Sequence, residues 1–379
     1  MSMRSIVGSL WWLCLCTGLV SGAGVQRYSV GDGRLWMHPK DNTTLPMHVR
    51  GISWFGLETQ DMVMNGLWSH PMTFYMDLMA REGFNVIRVP FSAEWAVNRF
   101  DQYPYSGLLA GDPIRQHRQA VEILDDLFDM AHERDILILL DLHRLNWNYI
   151  SELWYSPENN LYPAESFFTA WFAVLDRYHN HPALWGVDLL NEPHGRATWG
   201  TDDPSTDWRL FVETALPRFE ERYPTAHWVY LVEGIGWGKS LADAVASPVR
   251  VPPTVTTRLA YSAHNYGRSV VPSIDVQNLG ALHWDWDTNF GAVRKQNQAV
   301  VIGEYGGQTY LDSAWMDHFV DYCVENGITD TFFWSLGPNS GDVAGYLLDD
   351  WTTVDEFKRG IVQRMCPEPL PMAREVLSS

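Results

Sequence analysis

The sequence is poor in cysteine, with four in 379 residues, and Cys14 and Cys16 fall inside an N-terminal apolar stretch. A disulfide-dense scaffold is thereby excluded. No paired C-x-x-C and no H-E-x-x-H occurs, which removes the common zinc signatures. Glycine-rich phosphate and dinucleotide fingerprints are missing as well, so no cofactor is expected. Asp285-Trp286-Asp287-Thr288-Asn289 opens like a calcium loop, but Phe290 stands where the tight turn needs glycine. It reads as an ordinary loop, and no metal is expected. Runs of Lys or Arg are lacking and the formal charge is −19, so nucleic acid is not an expected partner. An acidic surface speaks to solubility and says little about a neutral substrate. Past the N-terminal stretch no segment is apolar enough, over the ~20 residues required, to span a bilayer. Internal repeats, linkers and appended modules are absent too, leaving one large domain.

What the chain does have begins with a targeting segment. Arg4, the apolar run Ile6 to Val20 and the small residues Ser21 to Gly24 have the layout of a secretion signal. Residues 1–24 are therefore expected to be removed, leaving 25–379 as a secreted, extracellular protein with no membrane attachment. Of the cysteines, Cys323 and Cys366 remain. In an oxidising compartment one bridge between them is expected, tying the penultimate helix to the last; two buried free thiols are the alternative. Asn42-Thr43-Thr44 is the only glycosylation sequon and sits in a turn-like stretch.

The full sequence is rich in rings, with 19 Trp, 16 Tyr and 16 Phe. Tyr28 to Trp36 reads as a hairpin around Gly31-Asp32-Gly33. Short apolar runs then alternate with helical periodicity. The strand candidates are 48–56, 84–92, 136–144, 185–190, 227–234, 258–267, 299–307 and 329–338. Between them, Met72, Tyr75, Met76 and Met79 recur at helical spacing, a stripe that belongs to the core. Asp112-Pro113 looks like an N-cap with proline at the first helical position. Further helices are expected at 163–180, 206–223 (kinked at Pro217), 311–326 and 353–365. Eight buried strands alternating with helices in one chain predict an α/β protein, a (β/α)8 barrel, with the N-terminal hairpin plugging its floor.

Polar residues crowd the C-terminal tips of those strands: Arg88, His143, Asn191 with Glu192, His264 with Tyr266, Glu304 and Trp334. That is the face on which barrel enzymes build their sites. Two carboxylates on different strand tips are the minimal apparatus for cleaving a glycosidic bond, one protonated to serve the leaving oxygen and one ionised to attack C1. Arg88 and the Tyr266 hydroxyl can hold a carboxylate as an anion. Asn191 can bind a sugar 2-hydroxyl, and the Trp334 ring can floor the sugar.

With Arg88 in IRVP, His143 in DLH, Asn191-Glu192-Pro193, His264 and Tyr266 in HNY, Glu304 in GEYG and Trp334 in FWS, the chain resembles glycoside hydrolase family 5. GISWFGLET, NGLWS, NEPHGRATWG, YSAHNYGRSVVP and GDVAGYLLDDWTTVD extend the likeness to its secreted endo-β-1,4-glucanases, the cellulases. The resemblance implies Glu192 as acid/base and Glu304 as nucleophile of a retaining mechanism, with carboxyl groups roughly 5–5.5 Å apart. It also implies a cis peptide at Trp334-Ser335 and further stacking rings at Trp54 and Trp237. The expected partner is a β-glucan polysaccharide, met by a monomer. The chain departs from many relatives at Ser335-Leu336-Gly337, where they carry a second Trp, and at Leu142-His143-Arg144-Leu145; both touch the cleft wall and bear on glucan length. The same machinery on mannan, xyloglucan or mixed-linkage glucan, and a silent carbohydrate-binding barrel, are the alternatives.

Overall fold

The structure is a computed structural model that describes residues 25–374. The expected signal, 1–24 with Cys14 and Cys16, lies outside the described residues. The chain opens with a small antiparallel sheet, β1 (Val25–Gly31), β2 (Arg34–Pro39) and β3 (Leu45–Pro46). Eight parallel strands then close a barrel: β4 (Arg50–Ser53), β5 (Val86–Ser92), β6 (Leu137–Arg144), β7 (Leu184–Asp188), β8 (Val229–Glu233), β9 (Leu259–Tyr266), β10 (Val300–Gly306) and β11 (Thr331–Phe333). Around them lie α1 (Met72–Arg81), α2 (Ala120–Glu133), α3 (Ala164–Tyr178), α4 (Trp208–Arg222), the short α5 (Pro253–Thr256), α6 (Leu279–Trp286), the short α7 (Ala292–Lys295), α8 (Thr309–Glu325) and α9 (Glu356–Met365).

Each barrel strand is buried on both faces, which is why it reads as an apolar run without alternation. The alternation is there in the packing. In β6, Ile138, Leu140 and Leu142 join the layer shared with the helices, while Leu137 and Leu139 point into the lumen. Leu137 and Leu139 meet Val86, Trp185, Val229, Leu231, Ala260, Val301 and Phe332 in a plug at the barrel floor. Tyr28, Leu35 and Met37 of the N-terminal hairpin complete it, and the Tyr28 and Val30 amides donate to the carbonyls of His227 and Thr257. The hairpin therefore seals the floor as expected. Higher in the lumen the inward positions turn polar: Arg88, Asp141, Glu233 and His264 are all buried.

Three local expectations need correction. Asp112-Pro113 opens only a 3-10 turn, Pro113–Arg115, and α2 starts at Ala120 behind a capping box in which the Gln119 amide donates to Glu122 (2.8 Å). The Asp112 carboxylate is spent elsewhere, accepting from the Met72 amide at the head of α1 (2.9 Å) and from Arg115 (2.7 Å). The stretch 285–289 is helical, not a loop: α6 runs into a π-turn, Asp287–Gly291, with Lys239 on Asp285 and Lys295 on Asp287. Cys323 and Cys366 form no bridge; both are buried free thiols, which is the other possibility open in the sequence. Helix α4 continues through Pro217.

Candidate active site

Glu304 reaches the lumen because β10 is irregular. Val301 points into the floor plug and Ile302 outward, so strict alternation would send residue 304 outward. Instead the pairing of β10 with β9 shifts between Ile302 and Glu304, and Glu304 lies opposite His264. Gly303 is the extra residue of this bulge. A Cβ there would stand 2.2 Å from Ser262 Oγ and 2.8 Å from His264 Nε2, so only glycine allows so close an approach.

Glu192 sits just past β7 with φ +52, a left-handed conformation that a non-glycine residue adopts at a cost, here directly before a proline. Its surroundings hold it there. The Glu192 amide donates to Glu233 Oε2 (2.7 Å), and its carbonyl lies 2.7 Å from His194 Nδ1. Such strain kept at a strand tip is typical of a functional position. Oxygens of Glu192 and Glu304 and a ring nitrogen of His264 all lie within 4.8 Å of one another.

The two carboxyls occupy different electrostatic settings. Glu304 Oε2 accepts from the Tyr266 hydroxyl (2.5 Å) and Oε1 from Arg88 Nη1. Burial works to raise the Glu304 pKa, but the charges of His264 and Arg88, with the Tyr266 hydroxyl, prevail and hold it below the usual carboxylate value. Burial pushes Glu192 up to about 7; the His264 hydrogen bond opposes that rise and the Glu304 charge adds to it. One carboxyl is thus kept ionised and its neighbour protonated near neutrality, the division of labour an acid and a nucleophile require.

Beneath them Arg88, wholly buried, is the hub. Nε donates to Asp188 (3.0 Å), and Nη2 reaches Asn191 Oδ1 (2.9 Å), Asp141 (3.1 Å) and Glu233 (3.2 Å). Asp141, Asp188 and Glu233 offer oxygens within 4.8 Å of one another, as a metal site would, but the guanidinium already bonds to all three. Burial raises them, Asp188 to about 6 and Glu233 to about 7, so the cluster does not carry full negative charge at neutrality. His264 bridges Glu192 (3.1 Å) and Glu233 (3.2 Å); burial disfavours its charge, yet the Glu233 and Glu304 carboxylates keep its pKa well above the ordinary value. His143 packs on the other wall with Nδ1 2.7 Å from Asp141, and burial holds it well below the ordinary value, a neutral imidazole.

Arg88, His143, Asn191, Glu192, His264, Tyr266 and Glu304 are therefore brought together. Trp334 is with them at the rim, joined to Ser335 by a cis peptide, its ring nearly parallel to those of His143 (7°) and Phe55 (14°). Trp237 also lines the cleft, half exposed, stacked on His194 at 3.4 Å. Trp54 does not. It is 1% exposed, its ring meets Tyr75 and its Nε1 donates to Asn65 O (2.8 Å), so it is core and the expected stacking role is withdrawn. Asn42 lies in an exposed turn at φ +64. Asp141, Asp188 and Glu233 escape a sequence reading because a carboxylate near a strand end looks solvated until the barrel closes over it; their position at the tips of β6, β7 and β8 was the available signal.

The cleft holds about 690 Å³ and is walled by Phe55, Trp237, Val270 and Trp334 around the two carboxyls. Asn191 Nδ2, buried and without a partner among the described residues, is left with a hydrogen bond to give. A buried donor left unsatisfied is costly unless a ligand meets it.

Comparison with known proteins points the same way. The family profile described as cellulase (glycosyl hydrolase family 5) matches residues 43–340. An endoglucanase of Paenibacillus polymyxa is 36% identical over 353 residues, covering 86% of this chain and 84% of its own. The major extracellular endoglucanase of Xanthomonas campestris pv. campestris is 32% identical over 380 residues, 93% of this chain and 74% of its own. Among solved structures, a cellotetraose complex of an endocellulase from Pyrococcus horikoshii superposes with a TM-score of 0.80 at 30% identity, covering 90% of this chain and 98% of that one.

Proposed function

The chain belongs to glycosyl hydrolase family 5 and is a hydrolase, and on that premise we propose that it is a secreted endo-β-1,4-glucanase acting with retention through Glu192 and Glu304. In the first half-reaction Glu304 attacks C1 while Glu192 gives its proton to the departing glycosidic oxygen. In the second, Glu192 takes a proton from water, which attacks C1 and frees Glu304. The observation that carries this is the separation: one oxygen of each carboxyl lies within 4.8 Å of an oxygen of the other, which suits the roughly 5–5.5 Å spacing of a retaining pair better than the about 6.5–9.5 Å of an inverting one.

The remaining groups have roles in the same steps. Arg88 and Tyr266 keep Glu304 ionised and aimed. Asn191 Nδ2 gives its unused hydrogen bond to the 2-hydroxyl, a contact that tightens at the oxocarbenium-like transition state. Trp334 and Trp237 offer ring faces to successive sugars. Cellulose or a related β-glucan is the substrate class, since relatives similar over most of this chain are named endoglucanases. Secretion fits the 1–24 segment, and no helix among the described residues is long and apolar enough to cross a membrane. The protein should work as a monomer.

The test is release of reducing ends from carboxymethyl cellulose, mannan, xyloglucan and mixed-linkage glucan side by side, with Glu304→Gln as control. The proposal expects the β-1,4-glucans to be cut and the variant to be inactive. Binding without turnover by the native protein would instead favour a silent carbohydrate-binding barrel.

A further inference from the structure

Beside the cleft, and sharing none of its catalytic groups, lies a second hollow of about 530 Å³ lined by Gln60, Asp61, Arg99, Tyr103, Tyr105 and Trp147. It is built by the loops that follow β4, β5 and β6. Tyr103 and Tyr105 are 62% and 76% exposed, while Pro104 between them is buried. Proline holds the residue before it extended, Tyr105 is itself extended (φ −62, ψ 125), and both tyrosines line the hollow. Neither ring pairs with another aromatic ring among the described residues, and neither hydroxyl has a hydrogen-bond partner there. Two such rings side by side over a hollow are unlike a singly exposed apolar residue, which needs no explanation.

The hollow is already formed. The Tyr105 ring lies on Gly107, where a Cβ would come within 2.5 Å of Cε1, and the Leu108 amide donates to Tyr105 O (2.9 Å). Glu94 joins the two walls: its carboxylate pairs with Arg99 (2.6 Å) and accepts from the Trp147 amide (3.3 Å). It also continues the cleft. Thr59 lines the cleft and Gln60 the hollow; Arg144 lines the cleft and donates to the Trp147 carbonyl (3.1 Å).

We propose that this hollow is a distal sugar-binding site that grips a β-glucan chain beyond the units held next to Glu192 and Glu304. The proposal rests on the glucanase function set out above. Ring faces suit the apolar C–H faces of β-linked glucose, and the amide, carboxylate and guanidinium of Gln60, Asp61 and Arg99 suit its hydroxyls. Arg99 is already paired with Glu94, so the hollow offers no unpaired cation to an anionic ligand. Rings fixed before binding lose little freedom when the sugar arrives.

The experiment compares kcat/KM on a long soluble β-1,4-glucan with that on cellotetraose, for the native enzyme, Tyr103→Ala/Tyr105→Ala and Gly107→Ala. The long-to-short ratio should fall roughly tenfold in the double variant, and in the same direction in Gly107→Ala, whose added methyl displaces the Tyr105 ring. Affinity of the long chain for each variant, measured in a Glu304→Gln background by calorimetry, should fall in parallel. An unchanged ratio and unchanged affinity, in a native enzyme that does cut the glucan, overturns the distal site alone. A native enzyme that cuts no β-glucan overturns the functional proposal beneath it.

Discussion

Gly303→Ala isolates the feature that turns Glu304 inward. The added methyl would lie 2.2 Å from Ser262 Oγ and 2.8 Å from His264 Nε2, both buried. Overpacking of this kind costs about 1–3 kcal/mol, so Tm should drop by a few degrees and the barrel should still fold. Activity should suffer more. The cheapest relief is to move the bulge, and with it Glu304 and His264, by a fraction of an ångström to an ångström, a displacement that can cost about a hundredfold in kcat. Ser262→Ala should restore part of the loss, because it removes the nearer obstacle; Ser262 Oγ has no hydrogen-bond partner, so that change alone should be nearly silent. The assay is kcat on a soluble β-glucan alongside a thermal melt for the three variants. A kcat within twofold of native in Gly303→Ala, or no recovery on adding Ser262→Ala, would refute the role given to the bulge.

The pH profile of kcat/KM should be bell-shaped. Glu192 must be protonated, so activity is lost as pH rises through about 7, while Glu304 must be ionised, so activity is lost as pH falls through its lowered pKa. Tyr266→Phe removes the hydroxyl that favours the Glu304 anion; its acidic limb should move to higher pH and kcat should fall about tenfold or more, seen in the same titration. The two contrasting tryptophans should separate cleanly. Trp54→Ala should lose about 3–5 kcal/mol in a denaturant melt, whereas the half-exposed Trp237→Ala should leave the melt unchanged and raise KM on glucan.

The barrel was legible because parallel strands buried on both faces must be apolar throughout, and the runs around Ile138 to Leu142 and Val300 to Ile302 could be little else. Helix starts were less so. Asp112-Pro113 has every local mark of an N-cap, but the carboxylate caps α1 instead, a partner 40 positions away that no local pattern reveals. The strand-tip residues could be listed from the sequence, and the structure gathers them; the tie between them could not, since Asp141, Asp188 and Glu233 matter only once Arg88 stands among them. Trp54 and Trp237 look alike as letters. What separates them is the left-handed turn at Trp237 (φ +66), which lifts that ring into the cleft, and the Tyr75 packing that keeps the other inside.

The central claim is that Glu304 bonds to C1 while Glu192 handles the proton. Proton NMR of the first sugar released from a β-glucan, before mutarotation, tests it most directly. The account predicts a β-anomer from the native enzyme, with mass spectrometry of a slow 2-fluoroglycoside placing the trapped sugar on Glu304; an α-anomer, or a label on any other residue, would contradict it.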